Sequence, residues 1–131
     1  MRKCVARAPQ VTPDILQRLA FDKNHAVREA VAHNPRCPPQ SLQMLSTDTR
    51  AKVRQLVASN LCTPPDTLAV LSADEAWAVR SKAIANRHLP LKALEAALHV
   101  PDESTQAIAL WAVRKRSDAP EHLKAYAALV E

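Results

Sequence analysis

The chain has 131 residues, ten prolines and no glycine, and its 18 Lys and Arg against 13 Asp and Glu leave a net charge of +5. Without glycine, hairpin turns that need positive φ have little but asparagine to draw on, which argues against an antiparallel β-protein, and the charge permits an acidic partner without demanding one. No apolar run is long enough to span a bilayer, MRKCVARAPQ at the start lacks the apolar core of a secretory signal, and three widely spaced cysteines make no disulfide framework, so the expected setting is cytoplasmic.

The chain opens on MRKCVARAP (1–9), which reads as the second half of a repeat that returns throughout. A proline-led segment follows, PDILQRLAFD (13–22), and then VREAVAHNP (27–35). The same alternation continues with PQSLQMLSTD (39–48), VRQLVASNL (53–61), PDTLAVLSAD (65–74) and VRSKAIANR (79–87), each block recurring 26 residues on. LKALEAALHV (91–100) keeps the frame. IALWAVRKR (108–116) then arrives at an offset of 29, so about three residues are inserted near His99–Pro101, and PEHLKAYAAL (120–129) closes the chain.

Each block predicts a helix. Pro13, Pro39, Pro65 and Pro120 suit a first helical turn, where a missing N–H costs nothing, and Leu16, Leu42, Leu68, Leu94 and Leu123 follow on the buried side. Asp22, Asp48 and Asp74, with Glu103 beyond the insertion, read as N-caps of a second helix whose apolar residues fall at i, i+3 and i+4. That helix ends at Asn34, Asn60 or Asn86, read as the left-handed closing residue in a chain without glycine. A helix pair of this size cannot bury its apolar stripe alone, so the units must stack. The expectation is an all-α protein: one domain over 1–131, a short α-solenoid of about five helix-pair repeats of ~26 residues.

The recurring V-R-x-x-V-A-x-N-P, P-x-x-L-x-x-L and D-x-x-x-x-V-R segments resemble the leucine-rich repeat variant family, with some similarity to the longer HEAT repeats. The resemblance covers nearly the whole chain and is strongest over Asp22–Asp74. It implies a right-handed superhelix that alternates α- and 3₁₀-type helices. Some members carry an iron–sulfur cluster in a cysteine-rich N-terminal segment; Cys4, Cys37 and Cys62 lack cluster spacing, so no cofactor is carried over. The family is not defined by one activity, so the resemblance speaks to fold rather than function.

Candidate sites come from columns in the repeat. Arg2, Arg28, Arg54 and Arg80 recur, with Ala109 in the fifth copy. They either cover the core and pair with Asp22, Asp48 and Asp74, or present positive charge to an acidic peptide or a phosphate backbone. Trp77, Ile84, Leu110 and Val113 fall on the side of the second helices where a solvated helix is polar. Earlier copies place His25, Ala32, Ala51 and Ala58 there. They are read as an apolar partner-binding face anchored on Trp77, against the alternative of burial between neighbouring helices. Arg114, Lys115 and Arg116 form the densest basic run, either a solvated helix end or a nucleic-acid patch. Lys82 and Trp111 share one repeat position, which allows a cation–π contact. Cys37, Cys62 and His88 lie in related inter-helix positions, but stacked helices ~8–10 Å apart hold such residues too far apart to share a metal. No motif for a nucleophile, a phosphate loop or a metalloprotease is present. The functional expectation is therefore a non-enzymatic module that binds a protein or peptide. The alternative is a nucleic-acid or polyphosphate binder using the arginine column, and a HEAT-like DNA-acting enzyme is a third reading. No membrane partner is expected, and self-association through the uncapped N-terminal end is a further partner reading.

Overall fold

The structure is a computed structural model and describes residues 2–8 and 10–130. Ten helices and no strand lie among the described residues: α1 (Arg2–Arg7), α2 (Pro13–Leu19), α3 (His25–His33), α4 (Pro39–Leu45), α5 (Ala51–Ser59), α6 (Pro65–Leu71), α7 (Trp77–Ala85), α8 (Leu91–Ala97), α9 (Glu103–Lys115) and α10 (Glu121–Leu129). They form five pairs, each an odd-numbered helix followed by an even-numbered one. The odd-numbered helices stack in order, α1 on α3, α3 on α5, α5 on α7 and α7 on α9. The helices α2, α4 and α6 each pack against both odd-numbered neighbours, and α8 and α10 pack on α9. The three-residue insertion is absorbed largely by α9, which has 13 residues where α3, α5 and α7 have nine.

The repeat columns explain this packing. Pro13, Pro39 and Pro65 stand at the first position of α2, α4 and α6, whereas Pro120 caps α10 and Pro90 does the same for α8. The even-numbered helices are α-helical rather than 3₁₀: in α2, Leu16 N–H bonds to Thr12 carbonyl at 3.2 Å and Ala20 N–H to Leu16 carbonyl at 3.0 Å, both four residues back. Leu16, Leu42, Leu68 and Leu94 are fully buried, each removal from water contributing ~1.5–3 kcal/mol. Val27, Val53 and Val79 are buried as well, together with Ala30, Ala32, Ala58 and Ala83, small side chains that let the stacked helices approach.

Two capping expectations are corrected. The aspartates stand two residues ahead of the caps. Asp22, Asp48 and Asp74 accept the N–H of Asn24, Arg50 and Ala76 at 2.8–2.9 Å, which folds the turn that launches the next helix. In the fourth unit the cap is Asp102, which accepts Thr105 N–H at 3.2 Å, not Glu103. The asparagines do not close helices in left-handed geometry. Asn34, Asn60 and Asn86 have φ of −72°, −74° and −72°, and no described residue has positive φ.

What the asparagines supply is a side-chain ladder. Asn34 Nδ2 donates to Ala6 carbonyl at 2.7 Å, Asn60 Nδ2 to Ala32 at 2.8 Å, and Asn86 Nδ2 to Ala58 at 2.9 Å. Asn60 and Asn86 also reach the carbonyl of the preceding asparagine, at 3.0 and 3.1 Å. Each Oδ1 meanwhile accepts the N–H two residues on, from Arg36, Cys62 and His88. One buried amide therefore ties its own turn to the end of the preceding long helix. Aspartate lacks the donor, and glycine lacks the side chain.

Asn60→Ala should cost ~2–4 kcal/mol in urea denaturation, because it leaves buried carbonyls without their donor. Asn60→Gly should be no better. A glycine variant as stable as the wild type would return the residue to a backbone-geometry role.

Candidate functional site

The arginine column is the most regular charged feature of the stack. Arg28 Nε lies 2.7 Å from Asp48 Oδ2 and its Nη2 lies 3.4 Å from Oδ1; Arg54 makes the same fork to Asp74 at 2.9 and 3.2 Å. Arg2 reaches Asp22 at 2.6 Å. The Nη1 groups of Arg28, Arg54 and Arg80 turn back onto the carbonyls of Asp22, Asp48 and Asp74 at 2.7–2.9 Å. Arg28 and Arg54 thus each brace the turn before their own helix and clasp the aspartate of the next unit. The hydrogen bond to Asp74 holds Arg54 more firmly protonated than a free guanidinium. Side chains are mostly buried, 13% and 11% exposed for Arg54 and Asp74. As charges for a phosphate backbone, Arg28 and Arg54 are already occupied.

Arg80 departs from this pattern. Its Nη2 is 3.5 Å from Asp102 Oδ2, its Nε turns to Thr105 Oγ1 at 3.3 Å, and the Asp102 side chain is 45% exposed. Asp102 is instead held by the Thr105 hydroxyl, which is the first cause of its lowered pKa. The Arg80 guanidinium also sits 5.7 Å from the centre of the Trp77 ring, one helical turn earlier on α7. The cation–π contact on this helix is therefore Arg80 with Trp77.

The apolar face predicted from sequence divides in two. Trp77 is 43% exposed and Leu110 is half-buried. Ile84 and Val113 are core residues, as are Ala32 and Ala58 at the same repeat position. The physical reason is the neighbours: Ile84 shares a stripe with Val79 and Ala83, and α7 is flanked by α5 on one side and α9 on the other. The growth from alanine to isoleucine and valine fills interior space, and Trp77 alone of the four is substantially exposed.

Beside Arg80 is a site that the sequence reading missed. A pocket of about 500 Å³ opens between α6 and α8, with Arg80, Asp102 and Thr105 at one side and Ala69, Ala73, Ala93, Ala96, Ala97 and Val100 around it. The repeat explains the opening. Ala97 takes the position of Leu19, Leu45 and Leu71. Leu45 and Leu71 are buried and fill the regular junctions. A break in that leucine column was visible in ALEAALHV and is the signal that could have found the pocket.

The other candidates separate in space. Arg114 Nη2 donates to Ala127 carbonyl at 2.9 Å and holds α10, while Arg116 forks onto Asp118 at 2.8 and 2.9 Å and reaches Leu89 carbonyl at 2.5 Å. Lys115 is exposed. The basic run is thus largely engaged in closing the last unit. Burial pushes the Cys37 thiol up to about 12, with nearby Cys62 adding to the shift, whereas Cys4 and Cys62 are exposed. Among the described residues no cluster of His, Cys, Asp and Glu could hold a metal ion, and no helix is long and apolar enough to cross a membrane.

The structure aligns with a solved protein described as a leucine-rich repeat variant with a novel repetitive protein structural motif. The TM-score is 0.55 and the identity 24%, over 97% of this chain. The chain shares the fold of that leucine-rich repeat variant. It spans 64% of the variant's length. No protein-family model matches the chain, and no curated protein does.

Arg54→Ala should lower stability by ~1–3 kcal/mol, since it strands Asp74 and a backbone carbonyl. Arg80→Ala should cost clearly less, because Asp102 keeps Thr105 and water; paired urea melts compare the two. For the thiols, a maleimide should label Cys4 and Cys62 in the native protein near neutral pH and Cys37 only after unfolding. Mass spectrometry that finds Cys37 labelled at the rate of the other two would contradict its burial.

Proposed function

We propose that this chain is a non-enzymatic binding module whose partner is a protein or peptide segment anchored at Trp77. The observation that carries the reading is the pairing of an exposed Trp77, steadied by Arg80, with the alanine-walled pocket that Arg80 also lines. A large aromatic anchor beside a preformed apolar recess is the usual make-up of an interface hot spot. The recess is of a size to take an apolar side chain in place of the leucine that the repeat omits at Ala97. Most ionisable groups around it are engaged, which supports binding over catalysis: Asp74 is clasped by Arg54, Asp102 by Thr105, and Arg80 by four backbone and side-chain acceptors, while Glu75 also lines the recess. The same occupancy weakens the nucleic-acid alternative through Arg28 and Arg54, because a phosphate would have to displace a buried aspartate.

Selection from a displayed random-peptide library on the intact chain tests this. Selected peptides should lose at least about tenfold in affinity with Trp77→Ala. They should lose affinity again with Ala97→Leu, a variant expected to fold at least as stably because it restores the repeat's own side chain. Peptides that bind both variants as tightly as the wild type, or a selection that yields none, would overturn the proposal.

A further inference from the structure

The outer face of the odd-numbered helices holds a second feature, separate from the arginine column and from the pocket between α6 and α8. A groove of about 470 Å³ crosses α1, α3 and α5 and is lined by Lys3, Arg7, His33, Lys52 and Leu56 among others. A second, of about 350 Å³, shares His33 and Leu56 with it and adds Ser59 and Leu61. A third, of about 320 Å³, shares Ser59 and Leu61 and continues past Lys82, Ala85 and Arg87. Neighbouring grooves share wall residues, so the three lie side by side as a discontinuous trough from α1 to α7. Trp77 begins α7, the helix whose Lys82 and Ala85 line the last of these grooves.

The charge of this trough is one-sided. Lys3, Arg7, Lys52, Lys82 and Arg87 line it, and among the described lining residues the carboxylate is Glu29, which sits 2.8 Å from His25 Nδ1. The aspartates of the repeat lie elsewhere, in the turns ahead of the odd-numbered helices, where the arginine column takes them up. Successive helices are spaced ~8–10 Å, close to three residues of extended chain at ~3.3 Å each. An extended segment laid across the stack would therefore meet a new helix at about every third side chain. Between the cations the floor is aliphatic, Leu56 and Leu61, and the described lining contains no Phe, Tyr or Trp. Single-stranded nucleic acid is held mainly by aromatic platforms along its path, and among the lining residues only the imidazoles of His25 and His33 could stack. Aliphatic ground flanked by ammonium and guanidinium groups suits carboxylate and apolar side chains of a polypeptide.

We infer that the partner is an acidic polypeptide segment, which lies extended along this trough with carboxylates on the Lys3–Arg87 cations and apolar side chains over Leu56 and Leu61. The inference rests on the peptide-binding reading above and specifies its chemistry. Peptides selected on the wild-type chain should be enriched in Asp and Glu, and their affinity should fall about tenfold or more from low to physiological salt, as exposed ion pairs are screened. Selection on Lys52→Glu/Lys82→Glu should shift the enrichment toward Lys and Arg. Should that variant melt early, Lys52→Gln/Lys82→Gln carries the test, with acidic enrichment reduced. Trp77-dependent peptides that are neutral or basic and indifferent to salt would sink this inference while leaving peptide binding intact. A single-stranded DNA oligonucleotide that binds with the same Lys52 and Lys82 dependence and displaces the selected peptides would overturn it in favour of nucleic acid. A selection that yields no peptide would remove both readings.

Discussion

Everything in this protein depends on how one unit is tied to the next. A pair of helices of seven and nine residues is too small to hold a core of its own, so stability belongs to the interfaces. Two polar devices fix those interfaces in opposite directions. An arginine near the start of α3 and of α5 reaches forward to the aspartate of the following unit. An asparagine at the end of α5 and of α7 reaches back to the carbonyls of the preceding one. Apolar contacts between valines, leucines and alanines supply most of the burial, but they are nearly the same from unit to unit and would tolerate sliding. The arginine fork and the asparagine amide accept one register, because each has partners at a single height along the helix.

The fourth junction shows the effect of disturbing that register. The insertion lengthens α9 and places Asp102 at its cap, so the acidic partner of Arg80 moves and binds Thr105. Arg80 keeps its backbone acceptors but holds the carboxylate loosely, and it comes to lie against Trp77. At the same place the leucine column gives way to Ala97. An irregular interface, an exposed aromatic ring and a recess thus occur together, and a binding site built on a repeat array needs such a local departure to be distinguishable from its neighbours.

The architecture was legible because its determinants are periodic. Leucine, proline, arginine and asparagine columns at a spacing of 26 residues leave few alternatives to stacked helix pairs. The chemistry behind two columns was less legible. Asn60 in sequence is compatible with a left-handed cap or with a side-chain donor, and only the φ of −74° and the reach to Ala32 decide between them. Asp48 could cap a helix or launch its turn, a difference of two residues that spacing does not resolve. Ile84 looked outward on an isolated helical wheel, but a helix sandwiched between two others buries both flanks. The pocket was missed because it is made by what the sequence omits, a leucine side chain at Ala97, and omissions are seen only against the repeat.

The two devices are not spread evenly. The α3–α5 and α5–α7 interfaces carry a full arginine fork and an asparagine with two acceptors. At the first interface the exposed Arg2 and a single Asn34 contact serve instead, and at the last the loose Arg80 contact is joined by Arg116 on Leu89. The asparagine column meets Ala8 at its start and the arginine column meets Ala109 at its end. The stack is therefore clamped hardest around α5 and progressively less toward both ends. Its motions should be graded in the same way, with amide hydrogens of α5 the last to exchange and the terminal pairs opening one at a time. An array of nearly identical units thus acquires a centre of rigidity, with the trough laid across it.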